Sequence, residues 1–221
     1  MVPAPRSEAE LAARAHALAG VTLGELAASL GVRLPVDLRG HKGFVGELVE
    51  AALGADAGSR PVPDFEALGV ELKTVPLGAN QRPRESTHVC TVSLGELLGQ
   101  QWADSSVRRK LARVLWVPVE ATPSLPLAAR RIGAARLWSP TVEDERMLAA
   151  DWEEHMELLA TGRFDAIDGR LGSCLQLRPK AANGAARVAA SDADGQPAAT
   201  LPRGFYLRAT FTARILASPP Q

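Results

Sequence analysis

The sequence predicts an α/β or α+β sheet protein. Three observations carry that class. Two short helices with leucine and alanine stripes open the chain, each bracketed by a capping residue and a glycine. Strand patterns begin only near residue 69, and from there strands and helices intermix. At 221 residues the chain suits one domain, or one core with two lobes, and can bury a sizeable interior.

Residues 7–19 read as the first helix, with Ser7 and Glu10 as a capping box and Gly20 as its stop. Thr22 and Glu25 repeat the device for Leu23 to Leu30, which Gly31 closes. The pair could pass for a helix-turn-helix, but the turn region lacks a basic recognition face, so packing is the reading. A third helix runs from Lys42 to Gly54, with Phe44, Val45, Leu48, Val49 and Ala52 as its core stripe. Gly43, Gly46 and Glu50 share another side, where small residues would let a bulky ligand approach. Glu50 is the only charge on that line, and alone it reads as a solvated helix carboxylate.

Gly69 to Val75 alternates as a strand, with Val70, Leu72 and Thr74 on one side and Glu71 and Lys73 on the other. Asp64 lies a short turn upstream, close enough to fold back beside them. Two carboxylates and an ammonium so placed can hold Mg²⁺ and position a water, which suits phosphodiester hydrolysis. A half-solvated strand carrying a Glu and a Lys has the same pattern. Next to Asp64 and Glu71, Glu50 becomes a third acid.

A loop through Arg82 and Arg84 leads to a strand from Thr87 to Val92, expected as a hairpin extension of the preceding one. Trp102 to Leu111 holds a helix start loaded with base at Arg108, Arg109 and Lys110. Arg113 to Glu120 is apolar enough for a central strand. Ser139-Pro140-Thr141 opens the longest helix, with Thr141 and Asp144 as a capping box and Gly162 at its end. Val142, Ala149, Trp152, Met156 and Leu159 are its expected buried stripe, with the acids outside. Cys174 to Lys180 reads as a strand with a basic tip, residues 181–200 as a mobile loop, and Leu201 to Arg208 as a last strand carrying the only tyrosine, Tyr206.

Composition removes several classes. No leader follows Met1 and no run approaches the roughly 18 apolar residues of a bilayer span, so a cytoplasmic protein without a membrane is expected. Cys90 and Cys174 have neither CxxC spacing nor a nearby histidine pair, which points to reduced thiols rather than structural zinc. The zero net charge hides segregation. Residues 1–105 hold 9 bases against 13 acids, residues 106–138 hold 7 against 1, residues 141–168 hold 2 against 9, and residues 170–221 hold 7 against 2. Two basic segments around an acidic one are compatible with a phosphate-binding face and a separate protein-facing or solvated face.

These residues add up to a resemblance. TLGELA (22–27), KGFVGELVEAALGADAGS (42–59), DFEALGVELKTVP (64–76), VRRKLARVLWVPVE (107–120), LQLRPKAAN (175–183) and LPRGFYLR (201–208) resemble, in order and spacing, the MutH family of DNA mismatch repair endonucleases. The resemblance implies a restriction-endonuclease-like core, a mixed sheet flanked by helices, in a single nuclease domain with a two-lobed DNA cleft. Residues 1–104 would form its catalytic lobe and 105–221 its DNA-recognition lobe. It implies nicking of the unmethylated strand at hemimethylated GATC, activation by MutL and an indirect link to MutS, in a monomer. Asp64, Glu71 and Lys73 match the catalytic motif, with one or two Mg²⁺ held by Asp64, Glu71, the Leu72 carbonyl and Glu50. Lys42, with Gly43 beside it, matches a helix start at the DNA backbone, and Lys110 a lysine near the active site. Arg108 and Arg109 join the backbone contacts, Arg178 and Pro179 match the sequence-reading loop, and Tyr206 matches a judge of adenine methylation. The chain departs from the family at His88, where an aromatic is expected, and in a short tail ending Pro219-Pro220-Gln221. Two other readings stay open: a GATC restriction enzyme cutting both strands, which nicked-versus-linear plasmid would reveal, and a non-catalytic DNA-binding repair module, which a Mg²⁺ titration would reveal. The acidic helix from 141 to 160 suits either a solvated face or a surface for MutL.

Overall fold

A computed structural model describes residues 2–41, 43–58, 60–92, 100–180, 187–191, 194 and 196–218. The chain divides into two compact units that interleave along the sequence. The first comprises Met1–Glu85, Ala112–Ser139 and Ala213–Gln221, and the second Ser86–Leu111 and Pro140–Thr212. Neither unit is a contiguous half of the chain.

In the first unit, helices α1 (Glu8–Ala17), α2 (Leu23–Ser29) and α3 (Phe44–Leu53) accompany strands β1 (Glu71–Leu77), β3 (Val114–Glu120) and β4 (Arg136–Trp138). Ser7 Oγ accepts the Glu10 amide and caps α1. The expected reciprocal half of that box is absent: Glu10 accepts instead from the Arg6 amide and the Arg14 guanidinium, which compete for its two oxygens. The Thr22–Glu25 box of α2 is complete. Glycines in the left-handed region bound α3, Gly43 (φ +96°) before it and Gly54 (φ +81°) after it. At Gly54 a Cβ would lie 2.4 Å from the Pro3 carbonyl oxygen, so only glycine fits the turn.

Strand β3 is central, as its apolar run indicates. It pairs in parallel with β1, Glu71 opposite Val114 through Leu77 opposite Glu120, and antiparallel with β4. The sheet is therefore mixed. Leu11, Leu23, Leu48, Val49 and Leu53 from the helices meet Val70, Leu72, Leu115 and Val117 in one apolar cluster. Each large side chain fully buried there contributes about 1.5–3 kcal/mol. This packing fixes α3 against β1, and with it Glu50 against the strand that carries Glu71 and Lys73.

The second unit is built on β2 (Thr87–Thr91), β8 (Arg203–Leu207) and β5 (Leu175–Pro179), in that spatial order and all antiparallel. The expected hairpin between β2 and the preceding strand is thus overturned. An alternating pattern shows that a strand forms but not its partner, and β2 finds β8 more than 110 residues later. Helices α4 (Ser106–Leu111) and α5 (Val142–Ala160) pack against β2 and β5 respectively. Helix α5 begins with the complete Thr141–Asp144 capping box. Its stripe is shifted from the expected one: Val142, in the first turn, is 90% exposed, while Leu148, Trp152, Met156 and Leu159 are buried. Two of its acids, Asp144 and Asp151, also face inward. Asp151 Oδ2 accepts from the Cys174 amide (2.7 Å), the Leu175 amide (2.8 Å) and the Cys174 thiol (2.9 Å), and its Oδ1 accepts from the Ser173 amide (2.9 Å). One helix carboxylate thereby anchors the start of β5.

Part of the segment expected as a mobile loop is a hairpin, β6 (Val188–Ser191) against β7 (Pro197–Thr200). Its alanine-rich strands present no apolar alternation, so backbone pairing alone defines them. A last helix, α6 (Ala209–Ala217), buries Phe211 and Ile215. No helix among the described residues is long and apolar enough to cross a membrane.

Candidate active site

The first unit brings Glu50, Asp64, Glu71 and Lys73 together by local means. Phe65 and Val70 exchange backbone hydrogen bonds across the short 3₁₀ turn Glu66–Leu68, which Gly69 closes at φ +65°. That turn folds Asp64 back onto β1, where its Oδ2 accepts the Leu72 amide at 2.7 Å. The two-residue period of β1 sets Glu71 and Lys73 side by side, Lys73 Nζ donating to Glu71 Oε1 at 2.5 Å. Glu71 is only 2% exposed. The spacing predicted this face, but not its burial: Val75, two residues beyond Lys73, is fully buried.

Glu50 reaches the group from α3. A Cβ on Gly46 would lie 3.7 Å from Glu50 Oε1 and 3.8 Å from Thr74 Oγ1, so the small residue lets the carboxylate lie alongside β1. Burial raises the pKa of Glu50 most, the negative charge of Asp64 adds to the rise, Lys73 opposes it, and Glu47 and Glu71 contribute further. Three carboxylates against one ammonium leave the cluster net negative. Glu50→Gln is therefore expected to raise the melting midpoint of the metal-free protein by a few degrees while lowering any activity that needs the charge. Melting in EDTA beside an activity assay checks both, and a lowered midpoint would contradict the reading.

The donor set is oxygen only, which suits a hard cation such as Mg²⁺ rather than Zn²⁺. Among the described residues no three Asp, Glu, His or Cys side chains converge on one metal-sized point. Mg²⁺ takes one or two carboxylates and completes its shell with water or substrate phosphate. A cavity of about 680 Å³ elsewhere in the first unit, between α1, Arg113 and Leu216, includes none of the four residues.

A family model described as DNA mismatch repair enzyme MutH matches residues 53–151, a span that includes Asp64, Glu71 and Lys73. Proteins named DNA mismatch repair protein MutH are similar over nearly the whole chain. That of Vibrio parahaemolyticus is 52% identical across 98% of this chain and 96% of its own length. Those of Yersinia enterocolitica and Salmonella newport are 53% and 54% identical across 96% of this chain and 93% and 92% of theirs. The chain belongs to the MutH family. It is thus a member of a family of mismatch repair endonucleases, and its mixed α/β architecture agrees with a restriction-endonuclease-like fold.

The remaining residues expected from the MutH resemblance belong to several elements, most of them in the second unit. Gly43 precedes α3, and Lys42 lies outside the described residues, as does the tail from Pro219. Arg108, Arg109 and Lys110 sit on α4 of the second unit. Arg108 is engaged internally, its Nε donating to Glu145 at 2.5 Å, and Arg109 donates to Ser106 Oγ. Other bases of the positive segments are also structural. Arg113 forks onto Glu8, and Arg208 donates to the carbonyls of Gly169, Arg170, Leu171 and Gly172. The segment charges thus overstate the cation available to a ligand.

Arg178 and Tyr206 come together on the second sheet. Tyr206 pairs with Gln176 on one side and His88 on the other, and Arg178 lies two residues beyond Gln176 on the same face. The Arg178 guanidinium stands 5.7 Å from the Tyr206 ring centre, and the His88 ring meets that tyrosine edge-on at 5.1 Å. Pro179 and Lys180 follow, exposed, at the strand end. Sequence reading missed Asp151. Its signal was present, since Asp144, Leu148, Asp151 and His155 recur at helical spacing on one buried stripe.

Proposed function

We propose that this chain is a Mg²⁺-dependent endonuclease that nicks the unmethylated strand at hemimethylated GATC sites in methyl-directed mismatch repair, activated by MutL. The observation that carries the reading is the Asp64–Glu71–Lys73 group with Glu50 beside it, in a chain of the MutH family. Asp64, Glu71 and the Leu72 carbonyl would hold the ion, and Glu50 would complete the site or hold its water. When bound, the ion supplies a more acidic water and offsets charge growing on the phosphoryl oxygens. An ammonium has three donors. One of those on Lys73 Nζ serves Glu71, and the others can orient the attacking water and bond a non-bridging oxygen. Lys110 adds positive charge.

Binding divides into two kinds of contact. Lys42, Gly43, Arg108 and Arg109 hold the backbone and make affinity salt-dependent. Arg178, with Pro179, reads a guanine edge, since its planar fork can bond O6 and N7 together. Tyr206 meets the adenine whose methylation decides the strand. Tyr206→Ser is expected to lower the preference for the unmethylated strand roughly fivefold, the scale of one base contact. Unchanged strand choice on hemimethylated duplexes would remove the role. The whole reading is tested on hemimethylated, fully methylated and unmethylated GATC plasmid, with and without Mg²⁺ and MutL. Nicked circles from the hemimethylated plasmid in Mg²⁺ are expected; linear product would indicate a restriction enzyme, and no product a binding module.

A further inference from the structure

Arg108, in the basic run that opens α4, is tied into the second unit and still reaches solvent. Its Nε donates to Glu145 Oε1 at 2.5 Å and its Nη1 to the Ala103 carbonyl at 3.2 Å, while 47% of the side chain is exposed. The acceptor on α5 is itself held. Glu145 Oε1 also takes the Trp102 indole N–H at 2.9 Å, and the Trp102 ring centre stands 6.0 Å from that of Trp152, a buried residue two turns further along α5. The backbone is fixed as well, because the buried Ser105 accepts the Arg108 amide on its Oγ at 3.0 Å.

A guanidinium has five N–H donors in one plane. Glu145 and Ala103 take two of them, and Nη2 meets no acceptor among the described residues. We propose that Glu145, braced by Trp102, is a positioning residue that aims the remaining edge of Arg108 at a backbone phosphate of the duplex. The inference rests on the reading that Arg108 contacts the DNA backbone, and it goes further by naming what prepares that contact. A long side chain loses rotamer freedom when it binds, and one already held in its pose loses less. The negative charge of Glu145 opposes the phosphate, so orientation comes with some loss of attraction. A carboxylate that only masked Arg108 would have to swing away when DNA arrives, whereas Trp102 holds this one in place.

Both bonds end on one oxygen, so a glutamine carbonyl can keep them. Glu145→Gln therefore removes the charge alone, and Glu145→Ala removes charge and support together. In duplex binding by the full chain in EDTA, Glu145→Ala should bind about threefold to tenfold more weakly than Glu145→Gln, the scale of ordering one long side chain. With Arg108→Ala added to each, the two should bind alike. Equal affinity of the two single variants overturns the proposal. So does a difference that persists with Arg108→Ala, since it would report a general disturbance of α5. Arg108→Ala by itself should lower the slope of log affinity against log salt by about 0.9. An unchanged slope overturns the reading of Arg108 as a phosphate contact, and a second measurement then decides the bracing without DNA. In ¹⁵N-resolved NMR of the full chain, the Arg108 Nε–H should be protected from exchange with water in the wild type and in Glu145→Gln, and unprotected in Glu145→Ala. Rapid exchange in the wild type overturns the bracing.

Discussion

Glu71→Ala should reduce Mg²⁺-supported nicking by about 10³-fold or more, the loss of several kcal/mol of transition-state stabilisation, while DNA binding stays largely intact. The same substitution carries a folding cost. Glu71 is buried and bonded to Lys73, so its removal leaves a gap beside the ammonium and takes away its hydrogen-bond acceptor, at about 1–3 kcal/mol, with Glu50 and Asp64 still there to balance the charge. Glu71→Gln separates the two effects, because the amide keeps the volume and an acceptor for Lys73 while losing the charge. Both variants should fail to nick a hemimethylated plasmid, and only the alanine should melt markedly earlier. Full activity of either in Mg²⁺ would end the assignment of Glu71.

Asp151→Ala is expected to be the most destabilising single change outside the candidate active site. It removes the acceptor of three amides and a thiol at the start of β5, and groups left unsatisfied in the interior cost about 1–3 kcal/mol each before relaxation. A loss of about 3 kcal/mol or more lowers the melting midpoint by roughly 10 °C in a chain of this size. The effect depends on pH with a definite sign. Burial pushes the Asp151 carboxyl up, but the Cys174 thiol and the amides of Cys174, Leu175 and Ser173 together outweigh it, and the net pKa is lowered. The unfolded chain takes up this proton first, near the usual value of about 3.9. The stabilisation is therefore complete above that value and is lost as pH falls through the lower folded one. Melting wild type and variant from pH 8 to pH 3 should show a constant gap that narrows only at the acid end. A gap that stays open throughout, or none at neutral pH, would contradict this account.

Local signals made much of this molecule legible. The Thr22–Glu25 and Thr141–Asp144 boxes, the Gly54 stop, the apolar β3 and the Glu71–Lys73 face all lie within seven residues of their cause. Asp64 belongs with them, since its fold-back needs only the Phe65–Val70 turn. What failed was non-local. Alternation could not tell β2 that its partner is β8, and the His88–Lys180 contact joins residues 92 apart. Helical period marked the Asp151 stripe, but the rule that acids face water hid it until Ser173, Cys174 and Leu175 supplied the donors. Val142 failed for the opposite reason: an apolar residue in a first turn, ahead of the packed stripe, has nothing to lie against. On the second sheet, Arg178 and Tyr206 are recognisable from the family's motifs, whereas Gly204 has no chemistry of its own to announce that a lysine passes over it.

The interleaved units carry a consequence for how the chain can be cut. The backbone passes from one unit to the other four times, after Glu85, Leu111, Ser139 and Thr212. Folding of the first unit must close two excursions, residues 86–111 and 140–212, and the longer costs only about 1 kcal/mol more to close than the shorter. Insertions within either excursion should thus be inexpensive. A terminal truncation is another matter, because no stretch counted from either end contains one whole unit and nothing of the other. Fragment expression by simple halving should therefore give insoluble products.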